Sequence, residues 1–386
     1  MRLVNLLYMI TKLELGGAQT QLLSLIRQLD QQRFRVFLLT ATDGPLVSEA
    51  QAIPGLIFKK SRHLGRPINP FKDLLALIEI RRFIKKNDIG IVHTHSSKAG
   101  IIGRWAARLA GAGVIIHTIH GWSFNDYQPT PIRLFFIWLE RFTARFTDKL
   151  IVVSGYDKQK GLDNLIGIDS KYTLIRYGID YSEFGLQEKS IREELGIGPK
   201  DLLVGMIACF KPQKSPQDFI KLAFLVRQQM PLVKFILVGD GALRPDIERL
   251  IKRLGLKEQV ILSGWRRDIP QILAALDIFV LTSLWEGLPI AALEAMASAR
   301  PVVVTHTGGI SEVITEGETG FLASPRDQRK LTQNLVALLK DKGLRVRIGT
   351  KAKEAMGKRF DLTAISRAHE ELYLELVARK ETQNAN

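Results

Sequence analysis

DIFVLTSLWEGLPIAALEAMASARPVVVT, residues 277–305, is the stretch that decides the fold. The apolar run 277–282 gives way to a loop from Ser283 onward. Pro289 then opens an amphipathic segment, 289–297, and a second β-branched run follows at 301–305. Two short strands joined by a helix form a crossover unit, so the strands run parallel. Pro289 suits a first helical turn, where no N–H is required. Glu286 stands on the loop and Glu294 in the second helical turn. Helical side chains lean back toward the N-terminus, so both carboxylates are read as facing the same edge. Two such acceptors suit the vicinal hydroxyls of a sugar or ribose; a general acid–base pair is the rival reading.

The same alternation extends outward in both directions. Toward the C-terminus come segments 328–340 and 362–378, both with helical periodicity. Toward the N-terminus the apolar runs are 259–264, 234–239 and 202–208, then 172–176, 150–154, 114–120, 89–95, 36–40 and 3–10. Longer amphipathic stretches, such as 19–29, 70–86, 98–110, 216–229 and 243–254, lie between them. The expected class is α/β, with two doubly wound parallel-sheet domains in tandem, and ligands at the C-terminal edge of the strands. Polar, charged and Gly residues replace the pattern around 183–200. We therefore place a first domain at 1–183 and a second at 184–361, with the last helix, 362–379, free to pack back on the first.

The chain of 386 residues is 46% hydrophobic and 24% charged, which argues against disorder and against a disulfide-stapled scaffold. Its single cysteine, Cys209, fits a reducing compartment. The run 3–10 lacks the small-residue cleavage pattern of a signal peptide and is read as a strand. No run reaches the length of a spanning helix, so the expected location is cytoplasmic or peripheral at the cytoplasmic face of the plasma membrane. The formal net charge is +16. Nucleic acid, a phosphorylated substrate and an anionic membrane are the candidate partners. Residues 1–183 carry 25 basic and 15 acidic residues, a surplus of +10. Nucleic acid is set aside for want of a recognition-helix or base-stacking signature.

The loops carry the chemistry. Gly16 and Gly17 follow the first strand and permit close backbone approach, although a tight turn explains them equally well. Neither GxGxxG nor a P-loop is present. His93 and His95 alternate on one strand face, but without a third ligand a metal site is not expected. Ser97 and Lys98 at the next helix start are read as hydroxyl and anion contacts on an acceptor. His120-Gly121 ends the neighbouring strand and offers a donor or acceptor. Lys211 and Lys214, on the loop after the first strand of the second domain, suit a diphosphate. Segment 132–149 combines Phe135, Phe136, Trp138, Phe142 and Phe146 with Arg133, Arg141, Arg145 and Lys149. It reads either as an interfacial helix or as a core helix with a basic solvent face, and the second reading is preferred.

Together these residues resemble the GT-B glycosyltransferases, specifically the retaining family 4 group. The spacing from Glu286 to Glu294 matches that family's E-x7-E signature. Gly16-Gly17, His120-Gly121, Ser154 and Lys214 fall in family positions, and the likeness spans nearly the whole chain. The resemblance implies that Glu294 holds the nucleotide ribose. Glu286 would hold the donor sugar, with the backbone of Gly287, Leu288, Pro289 and Ile290 beside it. It further implies that Lys211 and Lys214 neutralise the diphosphate, that Gly16 and Gly17 let donor and acceptor meet, and that His120 touches the donor sugar. The reaction it implies uses a nucleotide-diphosphate sugar, expected to be a UDP-sugar, with no metal or cofactor, and retains the anomeric configuration. The stretches around His95 and His120 look like members that build bacterial cell-surface polysaccharides on lipid-linked acceptors, with peripheral contact to an anionic membrane. A sugar-nucleotide epimerase or hydrolase of the same fold is the alternative, and an anionic-surface or nucleic-acid binding protein the more distant one. Two positions depart from the pattern: Lys211 replaces an Arg, and Tyr177 an Asn.

Overall fold

The computed structural model describes residues 3–184, 191–198 and 200–385; part of the polar boundary 183–200 lies outside them. The chain divides into two compact units, Met1–Gly178 with Leu362–Asn386, and Ile179–Asp361. The change of unit thus falls after Gly178, five residues before the position read from composition.

The first unit contains β1 (Val4–Met9), α1 (Gly17–Gln28), β2 (Phe34–Ala41), α2 (Val47–Gln51), β3 (Ile57–Ser61), α3 (Pro70–Lys86) and β4 (Ile91–His95). It continues with α4 (Ser97–Ala110), β5 (Val114–Ile119), α5 (Thr130–Ala144), β6 (Lys149–Val152), α6 (Gly155–Asp163) and β7 (Tyr172–Leu174). Its sheet has the order β3-β2-β1-β4-β5-β6-β7, with every pairing parallel. The side-chain period of two along β1 sends Leu6, Tyr8 and Ile10 into one core layer and Leu7 and Met9 into the other. Asn69 starts α3 by accepting from Lys72 N at 3.0 Å, and Ser154 starts α6 by accepting from Asp157 N at 3.1 Å.

The second unit contains β8 (Leu203–Ile207), α7 (Pro216–Arg227), β9 (Lys234–Val238), α8 (Arg244–Arg253), β10 (Val260–Gly264), α9 (Ile269–Ala275) and β11 (Ile278–Leu281). It closes with α10 (Ile290–Ala297), β12 (Val302–Thr305), β13 (Phe321–Ala323), α11 (Gln328–Lys340) and α12 (Lys342–Met356). The parallel order is β10-β9-β8-β11-β12-β13. In both sheets the winding reverses once, between β1 and β4 and between β8 and β11. Those switch points open a crevice at the strand C-termini.

The last helix, α13 (Leu362–Ala385), belongs to the first unit, where Leu372, Tyr373 and Leu376 join the core layer of Leu6 and Ile116. It extends past 379, where the periodicity read from the sequence ends, through polar residues to Ala385. With α13 included, the first unit holds 28 basic and 17 acidic residues, a surplus of +11 of the total +16. Among the described residues no helix is long and apolar enough to cross a membrane.

Helix α5 reverses the preferred reading of segment 132–149. Ile137, Glu140, Thr143 and Ala144 face inward. Leu134, Phe135, Trp138 and Phe142 face solvent, with Trp138 59% exposed. A fully buried ion pair sets this orientation. Arg104 Nη2 donates to Glu140 Oε2 at 2.7 Å, while its Nε donates to Gly100 O at 2.8 Å. The outward face is aromatic, not merely basic.

Candidate active site

In the second unit the site grows from the loops after β8 and β11. Buried hydroxyls lock both loops. Thr282 Oγ1 donates to Ser215 O at 2.9 Å, and Thr305 Oγ1 to Ser283 O at 2.5 Å. On this frame the Glu286 carboxylate accepts from Lys214 Nζ at 2.5 Å and from Ser283 Oγ at 2.6 Å. Gln213 Nε2 holds the same loop through Trp285 O at 3.0 Å. Glu286 is only 7% exposed and Lys214 23%, so their attraction is poorly screened by water. Lys211 lies three residues away and is half-buried.

Gly308 presses against this loop. Its φ is +57°, and a Cβ there would stand 2.3 Å from Glu286 O and 2.4 Å from Gly287 O. Gly309 N donates to Gly287 O at 2.7 Å. No residue larger than glycine fits at 308 without moving the Glu286 backbone. Gly287, Leu288 and Pro289 are buried. Pro289 is the residue before α10, which begins at Ile290 and has no side-chain cap. Ala292 N and Leu293 N donate back to Pro289 O at 3.1 and 3.4 Å, so in the first turn the N–H groups of Ile290 and Ala291 are the ones left to a ligand acceptor.

The two carboxylates differ in state. Glu286 is paired. The Glu294 side chain accepts no hydrogen bond among the described residues, and burial, with the nearby Glu183 carboxylate, raises its pKa to about 8. A carboxyl in that position gains most from ligand hydroxyls that donate to it.

In the first unit the loops after β1 and β4 are tied together. Thr11 Oγ1 lies 2.8 Å from Ser96 Oγ and accepts from Ala99 N at 3.0 Å. Ser96, at φ +62°, holds a conformation uncommon outside glycine, which the sequence did not flag. Gly16 has an extended backbone just before α1, so what glycine provides there is room: a Cβ would meet only the flexible Gln19 side chain, at 2.8 Å. Gly17 is the first residue of α1. Ser97 opens α4 and is exposed. Lys98 does not serve as a free anion contact. Its ammonium is paired to Asp73 at 2.6 Å and donates to Pro67 O.

The strand-end histidines form a buried network. His95 Nδ1 lies 2.8 Å from His120 Nε2, and His120 Nδ1 lies 3.0 Å from Tyr177 Oη, whose ring stacks on His120 at 13°. Both ring nitrogens of His120 are thus engaged. His93 is held by Tyr373 Oη and Thr118 Oγ1, each at 2.7 Å, and Tyr373 Oη also meets Tyr8 Oη at 2.8 Å. Burial lowers the pKa of His93 and His95 well below the ordinary value, with neighbouring histidines adding to it. Burial, then His369, takes His120 to about 3. These rings are neutral at physiological pH and act as hydrogen-bonding groups. Tyr8, His369 and Tyr373 were missed in the sequence; the last two lie on α13, remote from every motif.

Two parallel doubly wound units, with acidic and basic groups at their strand C-termini, define a protein of the GT-B fold. Residues 15–183 match the model of Glycosyltransferase Family 4, and residues 187–355 that of Glycosyl transferases group 1. The chain is 32% identical over 372 residues to UDP-Gal:alpha-D-GlcNAc-diphosphoundecaprenol alpha-1,3-galactosyltransferase of Escherichia coli, covering 95% of each chain. It is 30% identical over 323 residues to alpha-D-kanosaminyltransferase of Streptomyces kanamyceticus, covering 78% of this chain and 82% of that one. Among solved structures, Anabaena Alr3699/HepE in complex with UDP-glucose superimposes with a TM-score of 0.84 at 22% identity, covering 96% and 99% of the chains. The chain belongs to the group 1 glycosyltransferases and is a glycosyltransferase.

Proposed function

We propose that the enzyme moves a sugar from a UDP-sugar to a lipid-linked or polysaccharide acceptor in cell-surface polysaccharide synthesis, with retention of configuration and without a metal or other cofactor. The observation that carries this reading is the Glu286–Lys214 pair in the loops at the β8/β11 switch point, within the 286–294 block. The E. coli relative, whose name specifies a UDP-sugar donor and a diphosphoundecaprenol-linked acceptor, supports the nucleotide and the acceptor class.

In this reading Glu294 accepts from the ribose hydroxyls and Glu286 from hydroxyls of the donor sugar. The N–H groups of Gly287, Leu288 and Ile290 face the charge that develops on the leaving group; Pro289 has none and contributes shape. Lys211 and Lys214 neutralise the diphosphate, the work a divalent cation does in other transferases. The acceptor oxygen bonds to the anomeric carbon as the bond to the β-phosphate oxygen breaks. The electron pair leaves with UDP, and the acceptor proton passes to a leaving phosphate oxygen. Gly16 and Gly17 give the acceptor side room, with Ser97 as a hydroxyl contact. His120, neutral and held at Nδ1 by Tyr177, bonds a sugar hydroxyl through Nε2 in exchange for its His95 bond.

Exposed apolar residues support a lipid-linked acceptor and a peripheral membrane position. Ile68 and Phe71, each 71% exposed, lie in and just after the connection from β3 to α3, at the same sheet edge as the loops after β1 and β4. The outward face of α5 adds Leu134, Phe135 and Trp138. The test is product analysis with labelled UDP-, GDP- and ADP-sugars, with and without a lipid-diphosphate acceptor. Acceptor-dependent transfer from a UDP-sugar to an α-linked product is expected. Donor breakdown or epimerisation without an acceptor would overturn the reading in favour of a hydrolase or epimerase.

A further inference from the structure

The first unit has a second charged feature, on the sheet edge opposite the catalytic loops. A cavity of about 760 Å³ opens where β5, β6 and β7 begin, not where they end. Six cations line it: Arg108, Arg145, Lys149, Lys171, Arg379 and Lys380. Asp148 is the one carboxylate among the lining residues.

The six are not equivalent. Lys171 Nζ donates to the carbonyls of Ala144, Arg145 and Thr147 at 2.7, 2.9 and 2.9 Å, closing the end of α5. Lys149 donates to Ser170 O at 2.8 Å, and Lys380 pairs with Asp148 at 2.9 Å. The side chains of Arg108 and Arg379 have no hydrogen bond or ion pair among the described residues, and both residues are exposed. Arg145 lies with its guanidinium carbon 5.3 Å from the centre of the Phe142 ring. The ordered lysines shape the cavity, and three arginine forks remain to take an anion.

Its surroundings indicate which anion. Phe142, under the Arg145 guanidinium, belongs to the outward face of α5 and stacks on Trp138 with ring centres 5.9 Å apart, so the aromatic stripe of Phe135, Trp138 and Phe142 begins beside a cation of the cavity. Ile168, 63% exposed, lines the cavity itself, and Leu109, 49% exposed, adjoins Arg108. The seven helical steps from 135 to 142 span about 10 Å. A free phosphate or nucleotide would need no such apolar margin. A phospholipid, with a charged head above an acyl region, uses both.

We propose that this cavity binds the phosphate headgroup of an anionic phospholipid while the α5 face lies in the interface. The inference rests on the membrane reading above and adds a specific headgroup site to it. The site is separate from the residues assigned to the donor's diphosphate, Lys211 and Lys214, which belong to the other unit.

The experiment is vesicle flotation of the full chain at 0.15 M salt (about an 8 Å screening length). Vesicles of phosphatidylcholine alone are compared with vesicles containing phosphatidylglycerol. The wild type should favour the anionic vesicles. Arg108→Gln/Arg145→Gln/Arg379→Gln should lose roughly 100-fold in affinity for them, about fivefold per arginine. Its unfolding temperature and its transfer to a water-soluble acceptor should not change. Arg82→Gln/Lys85→Gln/Lys86→Gln on α3 removes the same charge elsewhere and should keep the preference. Equal losses in the two triple variants would overturn the cavity site and leave the membrane reading standing. A wild type that floats with neither vesicle would overturn the membrane reading itself. Glycerol phosphate at millimolar concentration should not displace the protein; full displacement would make the ligand a soluble anion and overturn the lipid assignment.

Discussion

Arg104 is the residue whose removal should be felt furthest from where it sits. Its guanidinium is fully buried and its partner Glu140 is 4% exposed, so Arg104→Met leaves a carboxylate in the core with no cation beside it. Breaking a buried pair from one side costs about 3–5 kcal/mol, most of it the desolvation of the charge left behind. The bond to Gly100 O is lost as well. For a unit of this size each kcal/mol moves the midpoint by about 2–4 °C, so a fall of roughly 6–20 °C is expected. Replacing both partners, Arg104→Met with Glu140→Leu, removes the stranded charge and should return stability to within about 1 kcal/mol of the wild type. Differential scanning calorimetry of the full chain measures both. A single variant that loses less than about 1 kcal/mol, or a double variant as damaged as the single, would refute the reasoning that this pair is dry and mutually dependent.

Other outcomes follow from the catalytic loops. Gly308→Ala should push the Glu286 backbone out of place and lower kcat/KM at least tenfold, with unfolding temperature changed far less; unchanged kinetics would contradict the contact. Lys214→Met should weaken UDP-sugar binding by calorimetry, and the loss should shrink when Glu286 is already Gln, since the two side chains share one ion pair. Glu294 titrates near 8 in the folded chain against an ordinary value of 4.5. The stability of its protonated form is therefore fully present below about pH 4.5 and lost as pH rises through 8. Relative to Glu294→Gln, the wild type should lose stability across that window, while its donor affinity rises with pH; parallel pH profiles for the two proteins would rule this out. Tyr177→Phe removes the bond to His120 Nδ1 and should lower kcat more than it alters KM. Tyr177→Asn, which restores a polar partner, should recover part of the loss.

Much of the fold was legible because most parallel strands buried on both faces read as plain apolar runs. The runs at 3–10 and 301–305 became β1 and β12 with small changes at their ends. Two of the four edge strands, β3 and β13, were not legible. β3 is half-exposed and carries Lys59 and Lys60, and β13 has only three residues. The Glu286 loop was readable since its residues are consecutive in the chain. Its support was not, because the hydroxyls of Thr282, Ser283 and Thr305 look ordinary until neighbouring strands bring them together. The pairing of Lys98 was hidden for the same reason: its partner Asp73 lies 25 residues upstream. The outward face of α5 shows as periodicity, but the sign of that face depends on Arg104 and Glu140, 36 positions apart. The histidine network needed α13, since Tyr373 stands 280 residues from His93.

That distance also sets an order of events during synthesis. When residue 178 has left the ribosome, the first unit still lacks the helix that supplies Leu372, Tyr373 and Leu376 to its core. The whole second unit, 179–361, must be translated before α13 appears, which at about 5–20 residues per second is a delay of roughly 10–35 s. Through that interval His93 has no tyrosine partner on α13 and one core layer of the sheet stands open. The N-terminal unit begins first and finishes last, and a nascent chain in that state is the form of this protein most exposed to chaperones and to aggregation.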